Sequence, residues 1–174
     1  MVSLFASRLI RLLLILQLAS FSMLAQAAGK VPQLGDTPSL PAFTAFDGKK
    51  INPDKLRGKF LVLSYFSVTC PFCMHEAPEL QRLYRNNADK LTVIGINIDY
   101  LDPDQRQKTA EWIQKYKLTF PVTTDYKLIE ASLGKIKGLP VNYVFDRKGK
   151  IVRIDVGEIF AEDFDDIAKM ARPD

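Results

Sequence analysis

The chain contains two cysteines, Cys70 and Cys73, both inside the stretch FSVTCPFCMHEAPEL at positions 66–80. Two thiols separated by two residues can close a disulfide and pass it to another pair. As a purely structural bridge they would achieve little, because so short a loop adds almost no chain-entropy stabilisation. Cys70 ends an apolar run and precedes a helical pattern, so the first-turn N–H groups and the helix dipole favour its thiolate and lower its pKa. Cys73 follows one helical turn later, within reach of a mixed disulfide formed at Cys70. That is the arrangement of thiol–disulfide exchange, with one exposed nucleophile and one shielded resolving thiol. Phe72, between them, is a candidate surface for client contact.

Glu76 lies one turn beyond Cys73. A carboxylate there could relay the Cys73 proton, and its repulsion would raise thiol pKa values. Other chemistry has less support. A structural zinc site wants four ligands, and this region offers Cys70, Cys73 and His75. His75, the only histidine, reads as a solvent-facing helix residue rather than as the base of a Ser/His/Asp triad. No phosphate-binding glycine loop appears.

The elements that must hold the pair can be read from pattern. FTAFDGKKIN (43–52) sets apolar residues around Asp-Gly, a hairpin signal. FLVLSYF (60–66) is too apolar for a half-solvated strand and suits a central strand covered on both faces. A helix follows Cys70, with Pro71 where its missing N–H does no harm, and with Leu80, Leu83 and Tyr84 on one face. LTVIGINI (91–98) predicts a second buried strand. Residues 102–116 predict an amphipathic helix that packs through Ala110, Trp112, Ile113 and Tyr116. A short extended piece at 120–122, a short helix at 127–133, strands at 141–145 and 150–157, and a closing helix at 160–170 complete the order. Buried strands alternating with helices call for an α/β layer fold, with the last hairpin adding antiparallel strands at one side.

The first 27 residues read as a secretory signal peptide. Arg8 and Arg11 give a positive start, residues 12–24 are mostly apolar, and Ala25-Gln26-Ala27 is a small-x-small cleavage pattern. The alternative is an uncleaved single membrane anchor; either way the arginines keep the C-terminal domain outside the cytosol. No cysteine follows the apolar run, which rules out a bacterial lipid anchor. Residues 28–41 are expected to be a linker or irregular arm, and 42–174 one domain. Losing the two arginines lowers the formal net charge from +4 to +2, and the remaining charges are interspersed. Nucleic-acid binding, which needs clustered cations, is not indicated.

The sequence resembles the thioredoxin superfamily, in particular its extracytoplasmic TlpA/ResA-like thiol–disulfide oxidoreductases, from about Gly35 to Ala171. The resemblance rests on the N-terminal hairpin, CPFCMHEAPEL, GINIDY with its inserted helix, LTFPV and KGLPVNYVFDRKGKIV. It implies a thioredoxin fold with an N-terminal β-hairpin, an inserted helix and a mixed central sheet flanked by helices. It implies Cys70 as nucleophile and Cys73 as resolving thiol, and makes Glu76 the acid that tunes the pair. Pro140 would be the cis-proline facing the cysteines, with Leu139 offering backbone hydrogen bonds to a substrate chain, and Pro78 the proline that bends the active-site helix. No metal or organic cofactor is implied beyond the Cys70–Cys73 disulfide.

The implied partners are client proteins with disulfides or thiols and a membrane thiol electron donor of the DsbD/CcdA type. The implied place is the bacterial periplasm, free or tethered to the inner membrane. Several positions depart from the family pattern. Thr69 stands where Trp is usual, Ser64 where thioredoxin has a proton-accepting buried acid, and Val141 where Thr is frequent. These departures weaken any link to cytochrome c biogenesis in particular. A reductase is the favoured direction. The main alternative is a DsbA-like oxidase or isomerase, whose proline-first spacing CPFC shares; yet the 66 residues 74–139 leave no room for the helical domain of that group. A peroxidase would need P-x-x-x-T-x-x-C, and here Thr69 is adjacent to Cys70. A metal-delivery module of the SCO type would need a wider cysteine spacing and a distant histidine.

Overall fold

The computed structural model describes residues 31–172; the expected signal peptide or anchor at 1–27 lies outside the described residues. Strand β1 (Phe43–Thr44) pairs antiparallel with β2 (Lys50–Ile51), and a 3₁₀ turn (Pro53–Leu56) leads to β3 (Phe60–Phe66). Helix α1 (Pro71–Asn87), β4 (Leu91–Asn97), α2 (Gln105–Lys115), β5 (Val122–Thr123) and α3 (Tyr126–Leu133) follow. The chain then forms β6 (Val141–Phe145), β7 (Ile151–Val156) and α4 (Ala161–Met170). Five strands make one mixed sheet in the order β5-β4-β3-β6-β7, in which β3, β4 and β5 run parallel and β6 and β7 are antiparallel additions. This is the expected α/β architecture, with the hairpin and the inserted helix in place.

All seven residues of β3 are buried, because helices cover both of its faces. Alternation sends Phe60, Val62 and Phe66 to one core with Leu80 and Leu83 of α1, Trp112 of α2, and Phe164 and Ile167 of α4. Leu61, Leu63 and Tyr65 go to the other, with Tyr126, Ile129 and Leu133 of α3. Phe164 is fully buried and joins α4 to the first core. Phe164→Ala should therefore lower unfolding free energy by about 3–5 kcal/mol in guanidinium titration; a loss under about 1 kcal/mol would mean α4 adds little to the core.

The flanking pieces are tied down by hydrogen bonds. Phe46 N–H donates to Val122 O, and Thr123 Oγ1 donates to Thr44 O, which fixes the N-terminal hairpin beside β5. Gly35 N–H donates to Ile151 O and Ile151 N–H to Asp36 O, so part of the arm runs along the start of β7.

Helix α2 differs from the sequence expectation in its start and in the face it buries. It begins at Gln105, because Asp102 first caps a turn, accepting from Asp104 N–H through its side chain and from Gln105 N–H through its carbonyl. Trp112 packs as expected and stacks on Phe66 with ring centroids 5.2 Å apart. Ala110, however, faces solvent, while Thr109 is buried. The Thr109 hydroxyl donates to Gln105 O and accepts from Asn97 Nδ2, so a polar side chain takes the inward place with its hydrogen bonds satisfied.

Candidate active site: a disulfide at a helix start above a buried acid

Cys70 is the N-cap of α1. It takes extended backbone angles, and Cys73 N–H donates to Cys70 Sγ at 3.3 Å. Pro71 occupies the first helical turn, where no intrahelical N–H bond is lost. The loop before it is held by Val68 N–H donating to the Asp99 carboxylate at 2.9 Å. Cys70 and Cys73 form a disulfide with Cα atoms 5.3 Å apart. Cys70 is partly accessible, whereas Cys73 is 2% exposed. Phe72 is 51% exposed beside them. Pro78 lies inside α1 on its outer side.

The Leu139–Pro140 bond is cis. Pro140 is buried, and Leu139 is half-buried between the two cores. Pro140 lines a cavity of about 10 Å³ together with Ser64, Cys73, Glu76 and Gly95, walled by Phe66, Trp112 and Phe120. That is near the minimum volume for a single water. Gly95 keeps this space open, since a Cβ there would come 3.2 Å from Phe66 and 3.3 Å from Phe120.

Glu76 is 1% exposed and so is not a surface acid. Its Oε2 accepts from Asn142 Nδ2 at 2.9 Å and its Oε1 from Ile159 N–H at 2.8 Å. Burial pushes its carboxyl from 4.5 up to about 7, against the pull of those two hydrogen bonds; the Asp155 and Glu158 charges push the same way as burial. The segment bearing Ile159 is held in place by the two residues just before it. Gly157 N–H donates to Pro140 O, and Glu158 Oε1 lies 2.7 Å from Nδ1 of the exposed His75. Among the described residues no group of three metal-ligating side chains is found.

The structure thus brings Cys73, Glu76 and Pro140 to one cavity and joins Cys70 to them through the disulfide; Leu139 directly precedes Pro140, Phe72 is exposed between the cysteines, and Pro78 lies on the outer side of α1. Two polar participants were not identified from sequence. Asn142 is the only polar residue in VNYVF, a strand otherwise built for burial; an amide there must find an interior partner. The Ile159 N–H leaves no trace in the side-chain sequence.

Residues 37–154 match the model of the AhpC/TSA family. The chain belongs to the AhpC/TSA family. Among its relatives, the thioredoxin-like protein YneN of Bacillus subtilis is 33% identical over 110 residues, spanning 63% of this chain and 64% of YneN. The thiol-disulfide oxidoreductase ResA of Bacillus cereus is 29% identical over 127 residues, 72% of this chain and 71% of that protein. A solved thiol:disulfide interchange protein of the thioredoxin family from Chlorobium tepidum superposes with a TM-score of 0.67 at 26% identity, covering 82% of this chain and 99% of that one. The TlpA/ResA-like resemblance is thereby borne out. The enzyme class expected from the sequence, thiol–disulfide oxidoreductase, is the one that ResA carries in its name.

Proposed function

We propose that this protein is an extracytoplasmic thiol–disulfide oxidoreductase whose dithiol form reduces disulfides in client proteins. The observation that carries this reading is a buried acid, Glu76, lining the same cavity as Cys73, where burial pushes its carboxyl up to about 7. In the forward step the Cys70 thiolate, favoured by the first turn of α1, attacks a client disulfide. One client sulfur joins Cys70 and the other leaves as a thiolate that takes a proton. Cys73 then loses its proton to the Glu76 carboxylate and attacks Cys70 Sγ. The Cys70–Cys73 disulfide forms, and the second client thiol is released. Two electrons pass from the protein to the client in each cycle.

Regeneration requires a dithiol donor, for which a membrane thiol carrier of the DsbD/CcdA type is suited. The apolar leader at 12–24 and the cleavage pattern at 25–27 support a location outside the cytosol, and the reading places the protein in the bacterial periplasm. Glu76 also supports the reducing direction. Its charge and the burial of Cys73 disfavour the thiolate forms, which makes the dithiol a better electron donor. Equilibration of residues 28–174 against a glutathione series tests the direction. The expected midpoint lies well below the roughly −120 mV of a strong periplasmic oxidant. A midpoint near that value, with oxidation of reduced substrates in place of insulin reduction, would make the protein an oxidase.

A further inference from the structure

Asn142 faces α1 because β6 alternates, and it sits opposite Ser64 in the β3–β6 ladder. It is 0% exposed and spends its amide N–H on Glu76 Oε2, while its Oδ1 has no hydrogen-bond partner among the described residues. A buried carbonyl oxygen without a partner is unfavourable, and a residue retained only to fill space would not need one. The orphan oxygen is instead useful to a neighbour that gains and loses a proton. Glu76 Oε1 faces the Ile159 N–H, which can only donate, so a proton on Oε1 would meet another hydrogen. Oε2 faces an amide whose two ends are nearly isosteric, one donor and one acceptor.

We propose that Asn142 is a positioning residue for the exchange reaction. Its amide donates to the Glu76 carboxylate and, after a half-turn about χ2, accepts from the Glu76 carboxylic acid, so the exchanged proton is carried on Oε2. The inference rests on the reading that Glu76 exchanges a proton with Cys73. The charged groups around this pair have partners of their own. Asp155 of β7 is held by Arg153 at 2.7 Å, Asp163 of α4 by the same guanidinium at 2.8 Å, and Glu158 by His75 of α1. Ser64 and Asn142 add no charge from β3 and β6.

The test uses the oxidised protein labelled with 13C at glutamate carboxyls and 15N at side-chain amides, titrated by NMR. In the wild type the Asn142 amide signals should change with the same midpoint as the Glu76 carboxyl, and in Glu76→Gln they should not change across that range. Asn142→Leu removes one donor to the charged form, and the Glu76 midpoint should rise by roughly one to two pH units. Asn142→Ala removes the donor without adding a charge, and should also raise the midpoint; it serves if the leucine variant does not fold. Asn142 signals that ignore the Glu76 titration, or an unmoved Glu76 midpoint in a folded Asn142 variant, would overturn the proposal. Whether Glu76 serves exchange at all is read separately, from the disulfide-reduction rate of Glu76→Gln, where an unchanged rate overturns that role.

Discussion

Replacing Cys73 by serine should leave the protein covalently attached to its client. Cys70, a partly accessible residue, caps α1 and its sulfur receives the Cys73 N–H, so the helix start favours its thiolate. In Cys73→Ser that thiolate still attacks, but no second thiol is one turn away to release the product. The mixed disulfide should accumulate on non-reducing gels and disappear on adding dithiothreitol. Turnover in insulin reduction should fall by roughly a thousandfold or more, as when one member of a catalytic unit is removed. Cys70→Ser should lose the same activity and trap nothing, because Cys73 is 2% exposed. Equal trapping by both variants would reverse or abolish the assigned roles. So would alkylation of the reduced wild type at Cys73 before Cys70.

What the sequence disclosed and what it withheld divide along a physical line. The limits of β3 and β6 were legible because burial on both faces demands largely apolar runs, and FLVLSYF and VNYVF show them, broken only by Ser64 and Asn142. The cysteines and Glu76 were legible because their spacing is local, a turn of one helix. Burial of Glu76 was not, since it depends on β6 and on the segment after β7, which pack against α1 from 66 and 83 positions away. Long-range placement also explains the α2 error. The apolar stripe drew Ala110 inward, but the decisive contact is Thr109 with Asn97 of β4. In both cases a polar residue within an apolar setting was the available signal, and its partner lay on another element.

The same burial makes Glu76 an expense in the resting fold, and the sign of its pH dependence follows from the direction of its shift. A carboxyl whose folded pKa is raised from 4.5 to about 7 binds its proton more tightly in the folded state than in the unfolded one. Stability contributed by the protonated form is fully present below the unfolded value and is lost as pH rises through the folded value. The gap corresponds to about 3 kcal/mol once the group is fully ionised. Glu76→Gln should remove this loss. Its carbonyl can accept from Ile159 N–H, and its amide can donate to the otherwise unpartnered Asn142 Oδ1. Guanidinium titration of the oxidised proteins should find the two equally stable near pH 4.5 and the variant more stable by about 3 kcal/mol at pH 8. Disulfide reduction should slow by roughly a hundredfold in the variant, the scale of a lost general acid–base group. Gain of stability with loss of activity at one residue is what a functional buried acid requires. A Glu76→Gln protein no more stable than wild type at pH 8 would show that the carboxyl is already solvated or paired in the fold.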